Sequence, residues 1–161
     1  MLSIFVLYFL KSATTWTGGY IVNNKTRKGK KDTFSEEELE KKKAYWSKRG
    51  IVFITAKDLF GETISLGNGA GVLKNQINIG IGAGKYKFCI DLTDVKYIDS
   101  TGIAQLLVSA GECIKNGGAI SLVNPNQKIL DNIVLSRTQK FFNITFDLIE
   151  SIKILKPKPK P

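Results

Sequence analysis

The sequence predicts an α/β domain in which helices pack on a β-sheet. Short apolar runs of strand length, of which residues 87–92 are the clearest, alternate with segments whose apolar residues recur at helical spacing. The chain has 161 residues, 43% of them hydrophobic, which is enough to bury the core of one domain plus terminal extensions. It has two cysteines and no histidine, so metal-dependent and triad-type catalysis are not expected.

The first 34 residues are predicted to be an apolar start followed by a flexible linker. Residues 2–10 are apolar except for Ser3, but this stretch is too short to span a bilayer. Two interpretations stay open, a docked or interfacial segment and an upstream extension from a misjudged start site. Any membrane contact is expected only through residues 1–10. The rest of the segment is rich in Thr, Gly, Asn and Lys, which is typical of a linker.

A charged helix is predicted over residues 35–49. Ser35 is suited to cap it, and Glu38, three residues later, completes a capping box. Phe34 and Leu39 can form a hydrophobic staple across the same end, and Gly50 ends the helix.

The domain proper is predicted over residues 50–154, followed by a Lys/Pro tail at 155–161 that alternate prolines keep extended. Within the domain, strands are predicted near 51–59, 62–66, 87–92, 119–123 and 142–146. Helices are predicted near 70–80, 102–116, 126–136 and 148–154. Cys89 and Cys113 fall within an apolar strand and an apolar helix face, so both are expected to be inert core thiols.

The net charge of +10 is concentrated outside this domain. Residues 1–50 hold eleven basic and five acidic residues, and the last six residues add three lysines. Residues 51–155 hold ten basic and nine acidic residues, so the domain is nearly neutral. Direct nucleic-acid binding by the folded part is therefore not expected.

The most informative motif is Asp99-Ser100-Thr101-Gly102, between the strand at 87–92 and the helix at 102–116. Asp, Ser and Thr are N-cap residues, and glycine permits a tight turn. A serine hydroxyl at such a corner is exposed at the positive end of a helix dipole. Because the chain has no histidine to act as a base, this serine is better placed to carry a phosphate than to act as a nucleophile.

Further motifs stand in a fixed order around it: Ile90-Asp91-Leu92, Asp99-Ser100-Thr101-Gly102-Ile103, Gly117-Gly118 and Leu122-Val123-Asn124-Pro125. This set resembles the STAS domain of bacterial anti-sigma factor antagonists, also called anti-anti-sigma factors. The resemblance covers about residues 50–154, and Gly61–Gly67 resembles the second-strand segment of one branch of that family. It implies a mixed β-sheet with helices packed mainly on one face, here with an added N-terminal extension.

The resemblance also implies a function. Ser100 aligns with the serine that is phosphorylated in these antagonists, and Thr101 is a second candidate acceptor. The implied partners are an anti-sigma factor that is also a serine kinase of the ATPase type, and a separate phosphatase. The chain would be a cytoplasmic switch and a kinase substrate, with no catalytic residue, cofactor or metal of its own.

The surface expected to meet the partner surrounds Ser100. Its predicted members are Asp99, Thr101, Gly102, Gln105, Glu112 and Asn68. Two alternatives from other classes stay open, both without phosphorylation. One is an accessory STAS module of a transporter or lipid-transport complex, and the other is a scaffold subunit of a signalling assembly.

Three features imitate other sites. Asp91, Asp94 and Asp99 could converge on a cation, although turn chemistry explains each of them. The glycine-rich segments 67–71 and 80–85 resemble phosphate-binding loops but depart from both fingerprints, so they are interpreted as connections.

Overall fold

The structure is a computed structural model that describes residues 15–17, 20–22, 34–64 and 69–156. The chain divides into two compact units, residues 1–33 and 34–161. In the first unit, β1 (Thr15–Thr17) pairs antiparallel with β2 (Tyr20–Val22), within the segment predicted as start and linker. Residues 1–10, the only segment considered for membrane contact, which was not itself expected, and the tail at 157–161 lie outside the described residues.

The second unit alternates strands and helices, as predicted. Its strands are β3 (Ile51–Thr55), β4 (Thr63–Ile64), β5 (Lys87–Asp91), β6 (Tyr97–Ile98), β7 (Ala119–Val123) and β8 (Phe142–Thr145). Its helices are α1 (Glu36–Ser47), α2 (Ala56–Phe60), α3 (Ala70–Gly82), α4 (Ser100–Lys115), α5 (Gln127–Leu135) and α6 (Leu148–Leu155), with a 3₁₀ turn at Gln139–Phe141. The capping box of Ser35 and Glu38 is present at the start of α1.

Four strands form the central sheet in the order β3-β5-β7-β8, and all three pairings are parallel. The resemblance implied a mixed sheet, but each of these strands is reached through a connection that returns the chain to the same edge, so the strands run in one direction. A separate parallel pair joins β4 to β6, and β6 lies within the connection from β5 to α4. The α/β class predicted from the alternation is confirmed.

One strand boundary was predicted wrongly. Residues 51–59 were predicted as a single strand, but β3 ends at Thr55 and the chain turns into α2. The register explains this end, because Thr55 pairs with Asp91, the last residue of β5, and no neighbouring strand continues beyond it.

Both faces of the sheet are covered. Alternate strand residues such as Phe88, Ile90 and Leu122 point into the larger core, which α3, α4 and α5 cover. The intervening residues, Cys89 among them, form a smaller core closed by α1 and α6. Three helices therefore share one face, as the resemblance implied, and two more cover the other.

Gly80 sets how closely α3 approaches the sheet. A Cβ atom there would lie 2.7 Å from Cζ of Phe88, which is buried in the larger core. The glycine in this segment therefore serves helix–sheet packing, and the segment 80–85 is the end of α3 and its connection to β5.

Candidate functional site

Ser100 lies at the corner where the loop after β5 enters α4. Asp99 is the N-cap of that helix, and its Oδ1 accepts a hydrogen bond of 2.7 Å from the backbone N–H of Gly102. The helix was predicted to begin at 102, but it begins at Ser100, because the aspartate caps it rather than the serine. Ser100 is thus the first helical residue.

The four motif residues differ in accessibility. The side chain of Ser100 is exposed, those of Asp99 and Thr101 are half-buried, and Gly102 is buried. A phosphate on Ser100 would stand at the N-terminus of a 16-residue helix, where unpaired N–H groups and the helix dipole favour negative charge. Of the two candidate acceptors, Ser100 is the more accessible.

Two asparagine side chains anchor the backbone that leads into this corner. Nδ2 of Asn126 donates to the carbonyls of Val95 (2.8 Å) and Lys96 (3.0 Å). Nδ2 of Asn132 donates to the carbonyl of Ile98 at 2.9 Å, one residue before the cap. These amides fix the loop from a separate element, so the Ser100 hydroxyl is presented on a held backbone rather than on a free loop.

Asn126 also caps α5, since its Oδ1 accepts from the backbone N–H of Ile129 at 3.0 Å. One side chain therefore starts a helix and holds the loop before the candidate site. The preceding Asn124 adopts a left-handed backbone, with φ of 53°, and its Nδ2 donates to Thr93 Oγ1 at 3.3 Å. Asn124 belongs to a motif recognised in the sequence, whereas the roles of Asn126 and Asn132 were not predicted. An Asn immediately after Pro125, at a predicted helix start, was the available signal for Asn126.

The three aspartates considered as a cation site have separate uses. Oδ1 of Asp91 accepts from the backbone N–H of Thr93 at 2.9 Å, and Asp94 pairs with Lys57 at 3.2 Å. Asp99 caps α4. Within the described residues, no group of three or more His, Cys, Asp or Glu side chains is arranged to hold a metal ion.

The remaining residues predicted to meet a partner are not gathered around Ser100. Gln105 is half-buried, with its Oε1 enclosed, and it lies on another side of α4. Glu112 is exposed but follows Ser100 by twelve residues, about 18 Å along the helix axis. Asn68 lies outside the described residues. The structure thus brings together residues 99–102 and sets Gln105 and Glu112 apart from them.

A charge-free stripe of α4 continues from Ser100 instead. At helical spacing its members are Ser100, Ala104, Leu107, Val108 and Gly111, which we call the Ser100 stripe. The side chains of Ser100 and Ala104 are exposed, and Val108 is 63% exposed. Exposed apolar side chains beside a polar corner are typical of protein-binding surfaces.

The two thiols offer no alternative chemistry. Burial raises the pKa of Cys89 to about 11, although a contact of 3.2 Å with the Ser151 hydroxyl lowers it in part. Burial raises the pKa of Cys113 to about 11 as well. Thiols with such pKa values are protonated near neutral pH and are poor nucleophiles.

A family model and solved structures match parts of this chain. The STAS domain family model matches residues 47–152. The crystal structure of TM1081, a proposed anti-sigma factor antagonist from Thermotoga maritima, has a TM-score of 0.50 at 19% identity and covers 66% of this chain and 81% of its own. The match to the NMR structure of TM1081 has a TM-score of 0.47 at 24% identity, and it covers 53% of this chain and 68% of the TM1081 chain. A comparison with curated protein sequences gives no match.

One finding bears on membranes. None of the helices formed by the described residues combines the length and the apolarity needed to cross a bilayer.

Proposed function

This chain belongs to the STAS domain family, and on that premise we propose that it is an anti-sigma factor antagonist controlled by phosphorylation of Ser100. In the unphosphorylated state it binds an anti-sigma factor and so releases a sigma factor. The observation that carries this proposal is the exposed Ser100 hydroxyl at the start of α4, at one end of the Ser100 stripe.

The proposed partner contact consists of residues 99–102 and the Ser100 stripe. Ala104 and Val108 expose apolar surface that a partner can cover, and no charged residue lies within the stripe. Glu112 is better suited to the rim of such a contact, because its side chain stands far along α4 from Ser100.

Phosphorylation would reverse binding by charge. A phosphate adds about −1.5 to −2 charges at neutral pH, and the N-terminus of α4 tolerates them, so the fold should persist. Against one partner carboxylate ~6 Å away, at an effective dielectric of ~20, a dianion costs roughly 5 kcal/mol. That cost lowers affinity by more than about a thousandfold.

In this proposal the chain carries out no chemistry. The anti-sigma factor supplies the ATP and the kinase activity, and a separate phosphatase restores the hydroxyl. The half-buried Asp99 acts by holding the first turn of α4, which positions Ser100 for the incoming phosphoryl group.

The test is transfer of phosphate from ATP by a purified kinase-like anti-sigma factor of the same genome. Mass spectrometry of the product should locate the phosphate on Ser100. The Ser100→Ala variant should bind the partner and accept no phosphate, whereas Thr101→Ala should be modified like the natural chain. Phosphate that still enters Ser100→Ala would reject the assignment. Partner binding without any modification would favour an accessory or scaffold module instead.

A further inference from the structure

We propose that the end of the domain opposite Ser100 binds an anionic membrane surface. Because β3, β5, β7 and β8 are parallel, all four strands begin at one edge of the sheet, which we call the basal edge. Ser100 follows the other end of β5, and we call that the Ser100 edge. The segments that enter the basal edge are 48–50, 83–86, 116–118 and 136–141.

The basal edge is strongly cationic. Its nine basic residues are Lys48, Arg49, Lys85, Lys87, Lys115, Arg137, Lys140, Lys153 and Lys156. Each of them lies in a segment that enters the basal edge, is the first residue of a strand, or lies at the end of a helix that ends at this edge. The four ion pairs found among the described residues involve none of these nine. Among the described acidic residues, only Glu112 lies in the last turn of a helix that ends at this edge.

The Ser100 edge has the opposite character. It carries six acidic residues: Asp58, Glu62, Asp91, Asp94, Asp99 and Asp147. Of the lysines there, Lys57 is paired with Asp94 and Lys96 with Glu62, at 3.2 and 2.5 Å. The nearly neutral domain is therefore polarised along its strands, and an anionic surface would attract the basal edge and repel the Ser100 edge.

Aliphatic side chains are exposed among the basal cations. Five helices end there, and all but α1 expose an aliphatic side chain in the last turn: Ile79 (59%), Ile114 (48%), Leu135 (80%) and Ile154 (47%). Each of these residues has a lysine or arginine within six positions of it along the chain. This combination of exposed aliphatic side chains and cations is what interfacial membrane-binding surfaces present to anionic bilayers.

Nucleic acid fits this surface less well than a membrane does. Proteins bind single strands by stacking bases on free aromatic faces, but at this edge cations already lie over two of the rings. Arg49 lies 3.6 Å from the ring centroid of Tyr45, and Lys140 lies 5.1 Å from that of Phe141. Apart from Tyr45, the large apolar side chains most exposed at this edge are aliphatic, and they gain free energy from acyl chains rather than from bases.

A cleft at the basal edge can receive a lipid headgroup. It has a volume of about 330 Å³ and lies between the starts of β5 and β7 and the end of α6. Lys87 and Lys156 line it together with Ile154, so cationic and apolar groups share its wall.

Vesicle co-sedimentation of the full chain tests the proposal. We expect binding to vesicles of phosphatidylcholine and phosphatidylserine, weakened by salt, and none to phosphatidylcholine alone. Lys115→Glu/Lys153→Glu should lower the partition coefficient by roughly thirtyfold or more, since each surface cation contributes about fivefold. Lys74→Glu/Lys128→Glu changes the net charge equally at exposed positions away from the basal edge, and it should bind like the natural chain. Equal losses in both double variants, or equal binding to both vesicle types, would overturn the proposal.

The aliphatic contribution needs its own variant. Leu135→Ser/Ile154→Ser should reduce vesicle binding at high salt, where charge is screened, whereas Val72→Ser, 44% exposed near the start of α3, should not. Circular dichroism of each variant establishes that it is folded. The proposal would be contradicted if the natural chain bound a DNA duplex, the basal charge variant did not, and vesicle binding were absent or unaltered. That result would assign this surface to nucleic acid.

Discussion

The Ser100 edge and the basal edge are two ends of one parallel sheet, yet their side chains are used in opposite ways. At the Ser100 edge, two lysines pair with carboxylates and amides hold the backbone: Lys57 pairs with Asp94 and Lys96 with Glu62, and Asn126 donates to the carbonyls of Val95 and Lys96. At the basal edge, nine cations stand outside the described ion pairs, and aliphatic side chains are exposed. This contrast fits the two proposals, in which the Ser100 edge presents a fixed shape to one partner and the basal edge meets a diffuse surface.

The largest effect that can separate the edges is a charge at Ser100. Ser100→Asp should weaken binding of the anti-sigma factor by a hundredfold or more, because a carboxylate carries about half the charge of a phosphate. Vesicle binding and thermal unfolding should change little. Calorimetric titration measures binding of the anti-sigma factor, co-sedimentation measures vesicle binding, and a melting curve measures thermal unfolding. A large loss of stability would instead make Ser100 a structural cap.

The converse variant acts on the basal edge. Lys115→Glu/Lys153→Glu, which should lose vesicle binding, is expected to accept phosphate on Ser100 at the natural rate, since both lysines lie at the far end of the sheet. The measurement is the rate of phosphate incorporation with purified kinase. A parallel loss of phosphorylation would mean that the two edges are not independent.

Substituting one asparagine at each edge compares how strongly the side-chain hydrogen bonds of the two edges stabilise the fold. Asn132→Ala leaves the carbonyl of Ile98 without its partly buried donor and should lower the free energy of unfolding by about 1–3 kcal/mol. Asn116→Ala removes an exposed bond of 2.9 Å to the carbonyl of Glu112 and should cost about 0.5 kcal/mol or less. Denaturant unfolding measures both. Equal costs would remove the distinction between a fixed and a diffuse edge.

The smallest effect concerns the core between the edges. The pKa of Cys113 is about 11 in the folded chain against 9.0 unperturbed, so its contribution to stability is complete below pH 9 and is lost as the pH rises toward 11. Urea unfolding should therefore show a weaker decline over that range in Cys113→Ala than in the natural chain. An identical decline would exclude a contribution from this thiol.

Local patterns predicted most of the fold and part of the site. The capping box at Ser35, the five strand segments in the domain and the Asp99–Gly102 corner all depend on residues close in sequence, and all were found. The end of β3 at Thr55 was not, because it depends on where the neighbouring β5 ends. The Asn after Pro125 indicates a helix cap, but the hydrogen bonds that Asn126 and Asn132 donate to the preceding loop join residues 30 or more positions apart, so no local pattern indicates those bonds.

The basal edge shows the same limit more clearly. Counting charge along the sequence gives a nearly neutral domain, because the cations of the basal edge alternate with the acids of the Ser100 edge as the chain crosses the sheet. Parallel topology separates the two sets in space. The charge of an α/β domain is therefore best counted separately for the two edges at which its strands begin and end, rather than for continuous stretches of sequence.

The central claim is that one phosphate on Ser100 controls binding of the anti-sigma factor. Its most direct test is the affinity of that partner for the chain before and after phosphorylation, with the modified residue located by mass spectrometry. We expect the phosphate on Ser100 and an affinity lowered by more than about a thousandfold. Equal affinity of the two forms, or a phosphate at any other residue, would contradict the account.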